Sequence, residues 1–201
     1  IHHLGVKPEA YRKRKTTKKP VFLTVARFVE KKGLEYLIKA FLKLEEDCEL
    51  RIVGDGPLKQ RLLLLAKSNR NIKFINNFSD LNPSKTVKQE MLSADVFVLP
   101  SVTATNGDKE GTPITLMEAS SLSLPCISTY HSDIPEIIEN RKTGYLVKER
   151  DVEALHQKMK LLLDKKTREK MGKAANSKMK RNFNELKQAK ELEKIYDFLV
   201  K

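Results

Sequence analysis

The chain has 201 residues, 40% of them hydrophobic and 32% charged, enough for one compact domain or one lobe of a larger enzyme and too apolar for a disordered tail. With 39 Lys and Arg against 26 Asp and Glu, the net charge is +13, which puts phosphate-bearing partners in view before any motif is read. No apolar run reaches the roughly 20 residues that a membrane-spanning helix requires.

Residues 1–20 are polar and basic with little apolar periodicity and read as a linker or edge segment. From Pro20 onward, β-branched runs alternate with amphipathic ones. The expected elements are a strand at Val21 to Ala26, a helix at Leu34 to Leu44, a strand at Leu50 to Val53 and a helix at Leu58 to Ala66. A strand at Ile72 to Ile75, a helix ending near Ser93 and a strand at Val96 to Leu99 follow. A helix opening at Pro113 then leads to strands at Cys126 to Ser128 and Tyr145 to Val147, and the chain is helical after Asp151. Strict alternation of strand and helix implies a parallel sheet covered on both faces, a Rossmann-like α/β fold. Cys48 and Cys126 lie far apart without CxxC or Cys/His clustering, as small buried side chains in a reducing compartment do.

In such a sheet, ligands lie beyond the carboxyl ends of the strands, where helix N-termini offer unpaired N–H groups to anions. The first of these loops, ARFVEKKG, carries Arg27 and Lys32, two cations suited to a diphosphate or simply solvated. The second, VGDGP, lacks the GxGxxG spacing and reads equally as a tight turn or a ligand loop. The third is the most informative: after VFVLPS the loop carries Glu110, and Glu118 follows eight residues later inside the helix expected from Pro113. Proline suits a first helical position because its missing N–H has no intrahelical partner. The N–H groups of Thr112, Ile114 and Thr115 would then remain for phosphate oxygens, with the helix dipole adding to the attraction.

Carboxylates beside a phosphate site make sense for a sugar nucleotide, whose hydroxyls donate to Glu118 at the ribose and to Glu110 at the hexose. Outside that setting both glutamates are ordinary solvated residues. The fourth loop, STYHSDIPEII, places His131, Ser132 and Asp133 side by side, which reads as a loop and helix cap because triads are assembled by geometry and not by adjacency. No DxD or HExxH spacing appears, and His2 and His3 have no neighbouring ligands, so no metal site is expected.

The segments VARFVEKKG, LRIVGDGP, FVLPS, EGTPITLMEA and HSDIPEIIENRKTGYLV, in that order, resemble the donor-binding half of family 4 retaining glycosyltransferases. The stretch PSVTATNGDKEGTPITLMEA looks most like the members that build bacterial exopolysaccharide, capsule or O-antigen. The resemblance implies the two-lobed GT-B architecture, with this chain as its C-terminal lobe. It implies that Arg27 and Lys32 hold the donor diphosphate and that Glu110 and Glu118 end an E-x7-E motif. The donor would be a nucleotide sugar, UDP-linked, with no further cofactor and no divalent metal at the diphosphate. Transfer would proceed on the front face, with Glu110 positioning and stabilising and not forming a covalent intermediate.

Many relatives have Gly where this chain has Pro113, so one backbone donor is missing, and Asn76 stands where Gly is common. The acceptor-binding lobe would lie upstream, with residues 1–20 as its tail and the interdomain linker, 21–184 as the donor domain and 185–201 as a helix crossing back to the first lobe. The acceptor would be a lipid-linked glycan reached through that lobe. The chain opens at Ile1 with no signal-peptide pattern and no initiator Met, as a piece of a longer protein would.

The basic stretches Arg12 to Lys19 and Lys158 to Arg181 lack interleaved aromatics, which argues against a specific nucleic-acid reader. They suit an anionic membrane surface better, at the cytoplasmic face. A sugar-nucleotide epimerase or a phosphorylase of the same architecture is the alternative within the fold.

Overall fold

In the computed structural model, residues 4–11, 19–76 and 83–199 are described; His2, His3 and the cations Arg12 to Lys18 lie outside them. Six strands form one parallel sheet: β1 (Val21–Val25), β2 (Glu49–Val53), β3 (Ile72–Ile75), β4 (Val96–Leu99), β5 (Cys126–Thr129) and β6 (Gly144–Val147). Their order is β3-β2-β1-β4-β5-β6, with the direction of addition reversing between β1 and β4. The helices that follow β1 and β4 therefore pack on opposite faces of the sheet, and the carboxyl ends of these neighbours mark its topological switch point.

Strands β1, β4, β5 and β6 are buried at every position, whereas β2 carries the partly buried Glu49 and Arg51 and β3, at the sheet edge, exposes Lys73. Successive buried residues divide between two cores. Phe22, Ile52 and Val98 face α1 (Leu34–Phe41), α2 (Lys59–Leu65) and α6 (Val152–Leu161). Leu23, Phe97 and Leu99 face α3 (Pro83–Ser93), α4 (Ile114–Ser121), the one-turn α5 (Ile134–Ile137) and α7 (Lys165–Asn182). Cys48 and Cys126 are buried and form no disulfide among the described residues, and burial pushes the Cys48 thiol up to about 11.

Two features depart from the local pattern. Val6, in the segment read as a linker, is 7% exposed and exchanges backbone hydrogen bonds with Phe183 and Glu185 at the junction of α7 and α8 (Glu185–Leu199). Arg168, within the charged stretch, turns inward and donates to the Leu162 and Leu163 carbonyls, satisfying the carboxyl end of α6. On α8, Ile195, Tyr196, Phe198 and Leu199 are exposed.

Candidate functional site

The loop after β1 is held in place by the loop after β2. Phe28 N–H donates to the Asp55 carbonyl at 2.8 Å and Leu58 N–H to the Phe28 carbonyl at 3.0 Å. A Cβ on Gly54 would stand 2.0 Å from the Ala26 carbonyl oxygen, and one on Gly56 2.7 Å from the Phe28 nitrogen. VGDGP is thus a packing turn: its glycines let one loop backbone lie against the other. The 3-10 turn Glu30–Lys32 follows, leaving Arg27 exposed with no ion-pair partner among the described residues.

Residues 101–113 form a strap between β4 and α4. One side is latched to the 3-10 turn. Val102 N–H donates to the Lys31 carbonyl, the Thr105 N–H and hydroxyl donate to the Glu30 carboxylate, and Lys31 pairs with Asp108. At the strap's end Lys32 forms an ion pair with Glu110, their side chains 17% and 10% exposed. The other side is latched to the loops after β5 and β6. His131 accepts from the Glu110 N–H, Asp133 accepts from the Thr112 hydroxyl at 3.0 Å, and Glu149 accepts from the Thr103 N–H.

The helix opens one residue later than expected. Pro113 has extended geometry, φ −75° and ψ 102°, and lies just before α4, where its carbonyl accepts from the Leu116 N–H. The N–H groups of Thr112, Ile114 and Thr115 have no acceptor among the described residues. They lie at the positive end of an eight-residue helix, which favours an anion.

Ile114, Thr115 and Glu118 line a cavity of about 570 Å³ together with Val25, Val87 and Met91. Residues Gly5 to Lys7 close one side of it. The loss of water around the Glu118 carboxyl raises its pKa. Arg27, Lys32 and Glu110 do not line this cavity. The structure therefore brings Lys32 and Glu110 together and groups Ile114, Thr115 and Glu118 separately. The amino end of α4 and the Thr112 N–H lie in the connecting stretch. Four residues from loops distant in the chain position the strap: His131 and Asp133, which the sequence singled out only as a loop and helix cap, and Glu30 and Glu149, which it did not single out. Among the described residues no three His, Cys, Asp or Glu are grouped to hold a metal ion.

The chain is a doubly wound α/β fold, a parallel sheet covered by helices on both faces, and its topology and layers match those of GT-B glycosyltransferases. Residues 7–178 match the family model described as glycosyl transferases group 1, and the chain belongs to that family. It is 40% identical over 168 residues to the putative colanic acid biosynthesis glycosyltransferase WcaL of Escherichia coli, covering 81% of this chain and 41% of that protein. It is 38% identical over 161 residues to the amylovoran biosynthesis glycosyltransferase AmsK of Erwinia amylovora, covering 77% of this chain and 39% of that one. The chain thus spans about two-fifths of the length of these relatives. The Anabaena protein Alr3699/HepE, crystallised with UDP and glucose, has the same fold at a TM-score of 0.74 and 17% identity, over 89% of this chain and 48% of that one.

Proposed function

We propose that this chain is the donor-binding half of a retaining, metal-independent glycosyltransferase. It would hold a UDP-sugar whose hexose passes to a lipid-linked oligosaccharide in bacterial exopolysaccharide, capsule or O-antigen synthesis. The observation that carries this reading is the Lys32–Glu110 pair beside the unpaired N–H groups that lead into α4, with Arg27 open on the neighbouring loop.

A diphosphate at the amino end of α4 meets the N–H groups of Thr112, Ile114 and Thr115, with Arg27 and Lys32 as its cations. When the bond from the anomeric carbon to the diphosphate breaks, negative charge grows on the departing phosphate oxygen. Preorganised donors stabilise that charge by about 3 kcal/mol each. Glu118 accepts from the ribose hydroxyls inside the cavity, and Glu110, its charge balanced by Lys32, accepts from the hexose and orients it for front-face attack. The acceptor is presented by residues outside these 201. Exposed Lys166, Lys170 and Lys173 along α7 favour a peripheral position on an anionic cytoplasmic membrane face, each nearby cation contributing about 1 kcal/mol.

Ligand-observed NMR of this chain with UDP-, GDP- and ADP-sugars tests the reading. The expected result is transfer of saturation to UDP-sugars, removed by competition with UDP. Absence of binding to every nucleotide sugar would refute it.

A further inference from the structure

His131 follows β5 and is 3% exposed, with both ring nitrogens engaged. The Glu110 N–H donates to Nε2 at 2.9 Å, so that nitrogen carries no proton. Nδ1 then holds the proton and donates to Glu149 Oε1 at 2.6 Å. Glu149 Oε2 accepts from the Thr103 N–H at 2.9 Å. Burial opposes the charge on Glu149, but the bonds from His131 and Thr103 outweigh it and hold that carboxyl below the usual range. One relay thus ties down both ends of the strap, Thr103 near its start and Glu110 near its finish.

We propose that His131 is a positioning residue: through Nε2 it fixes the backbone at Glu110 and thereby the carboxylate that meets the transferred sugar. Two independent holds act on Glu110. Lys32 takes the side chain and His131 the main chain. Glu149 selects the tautomer, because a proton on Nε2 would set two donors against each other at the Glu110 N–H. The role of Glu110 at the sugar rests on the proposed function; the hold on its backbone does not.

The test compares the wild-type chain with His131→Leu, which keeps bulk without an acceptor, and His131→Gln, whose Oε1 can replace Nε2. Long-range proton–nitrogen NMR should find His131 protonated on Nδ1 alone at neutral pH. Hydrogen exchange at the Glu110 amide should rise about tenfold in the Leu variant, the scale of one lost hydrogen bond, and return with Gln. The gain in affinity of UDP-glucose or UDP-galactose over UDP should fall with Leu and recover with Gln, while UDP alone binds as before. A proton on Nε2, an unaltered Glu110 amide, or equal losses for UDP and UDP-hexose would overturn the positioning role. Should His131→Leu fail to fold, the wild-type tautomer and the Gln variant still decide it. A wild-type chain that binds neither UDP nor UDP-hexose, yet shows the expected tautomer and exchange, would sink the donor reading and leave the positioning intact.

Discussion

The Lys32–Glu110 pair supports the fold as well as the site, and Lys32→Met separates the two roles. With side chains 17% and 10% exposed, the pair lies between a surface bridge and a fully buried one. Surface pairs contribute less than about 1 kcal/mol, whereas stripping one partner from a buried pair costs about 3–5 kcal/mol. For this intermediate case the expected cost of Lys32→Met is about 2 kcal/mol, mostly from the Glu110 carboxylate left without its counter-charge. In a chain of this size that lowers Tm by about 4–8 °C. Lys32→Met/Glu110→Gln removes the stranded charge as well and should regain at least half of the loss. Urea unfolding of wild type, both single variants and the double variant closes the cycle, with a coupling energy of about 1–2 kcal/mol. A double variant no more stable than Lys32→Met would show that Glu110 is not stranded when the ammonium is removed, and the reasoning would fail.

Arg27→Ala should leave Tm unchanged, because the side chain is exposed and unpaired among the described residues, while calorimetric titration shows UDP affinity falling by about 1.5–3 kcal/mol. Glu118→Gln should weaken UDP more than inorganic diphosphate, and equal losses would remove Glu118 from the ribose. Since the folded Glu118 carboxyl holds its proton more tightly than the unfolded one, the contribution of this group to stability falls as pH rises from the ordinary carboxylate range through the raised value. The stability of wild type relative to Glu118→Gln, from urea midpoints, should therefore fall between about pH 4 and pH 7, the other carboxyls being common to both chains. Gly172→Ala adds helix propensity of about 1 kcal/mol, but its Cβ would lie 2.2 Å from the Ser123 carbonyl oxygen where α7 crosses α4. Overpacking of about 1–3 kcal/mol should reverse the sign and lower Tm.

The central strands were legible because burial on both faces leaves an unmistakable signature: Val96 to Leu99 is apolar throughout and ends where the apolar run ends, while the edge strand Ile72–Ile75 was legible from its β-branched and aromatic residues despite Lys73. The one-turn α5 and the 3-10 turn were not, since three or four residues carry no period to read. VGDGP illustrates the ambiguity of glycine, for the same pair of residues serves a phosphate loop or a close backbone crossing, and only the neighbouring loop decides between them.

Local chemistry along the chain thus determined the alternation of strand and helix, the doubly wound sheet and the loops beyond its strand ends where Arg27, Lys32, Glu110 and Glu118 sit. Tertiary structure alone decided that Lys32 meets Glu110, that His131 and Glu149 hold the strap at both ends, and that Val6 inserts beside Phe183. Those partners are separated by 18 to 78 residues in the strap network. Backbone periodicity extends over a few turns, whereas such contacts arise only after the sheet has closed and set distant loops side by side.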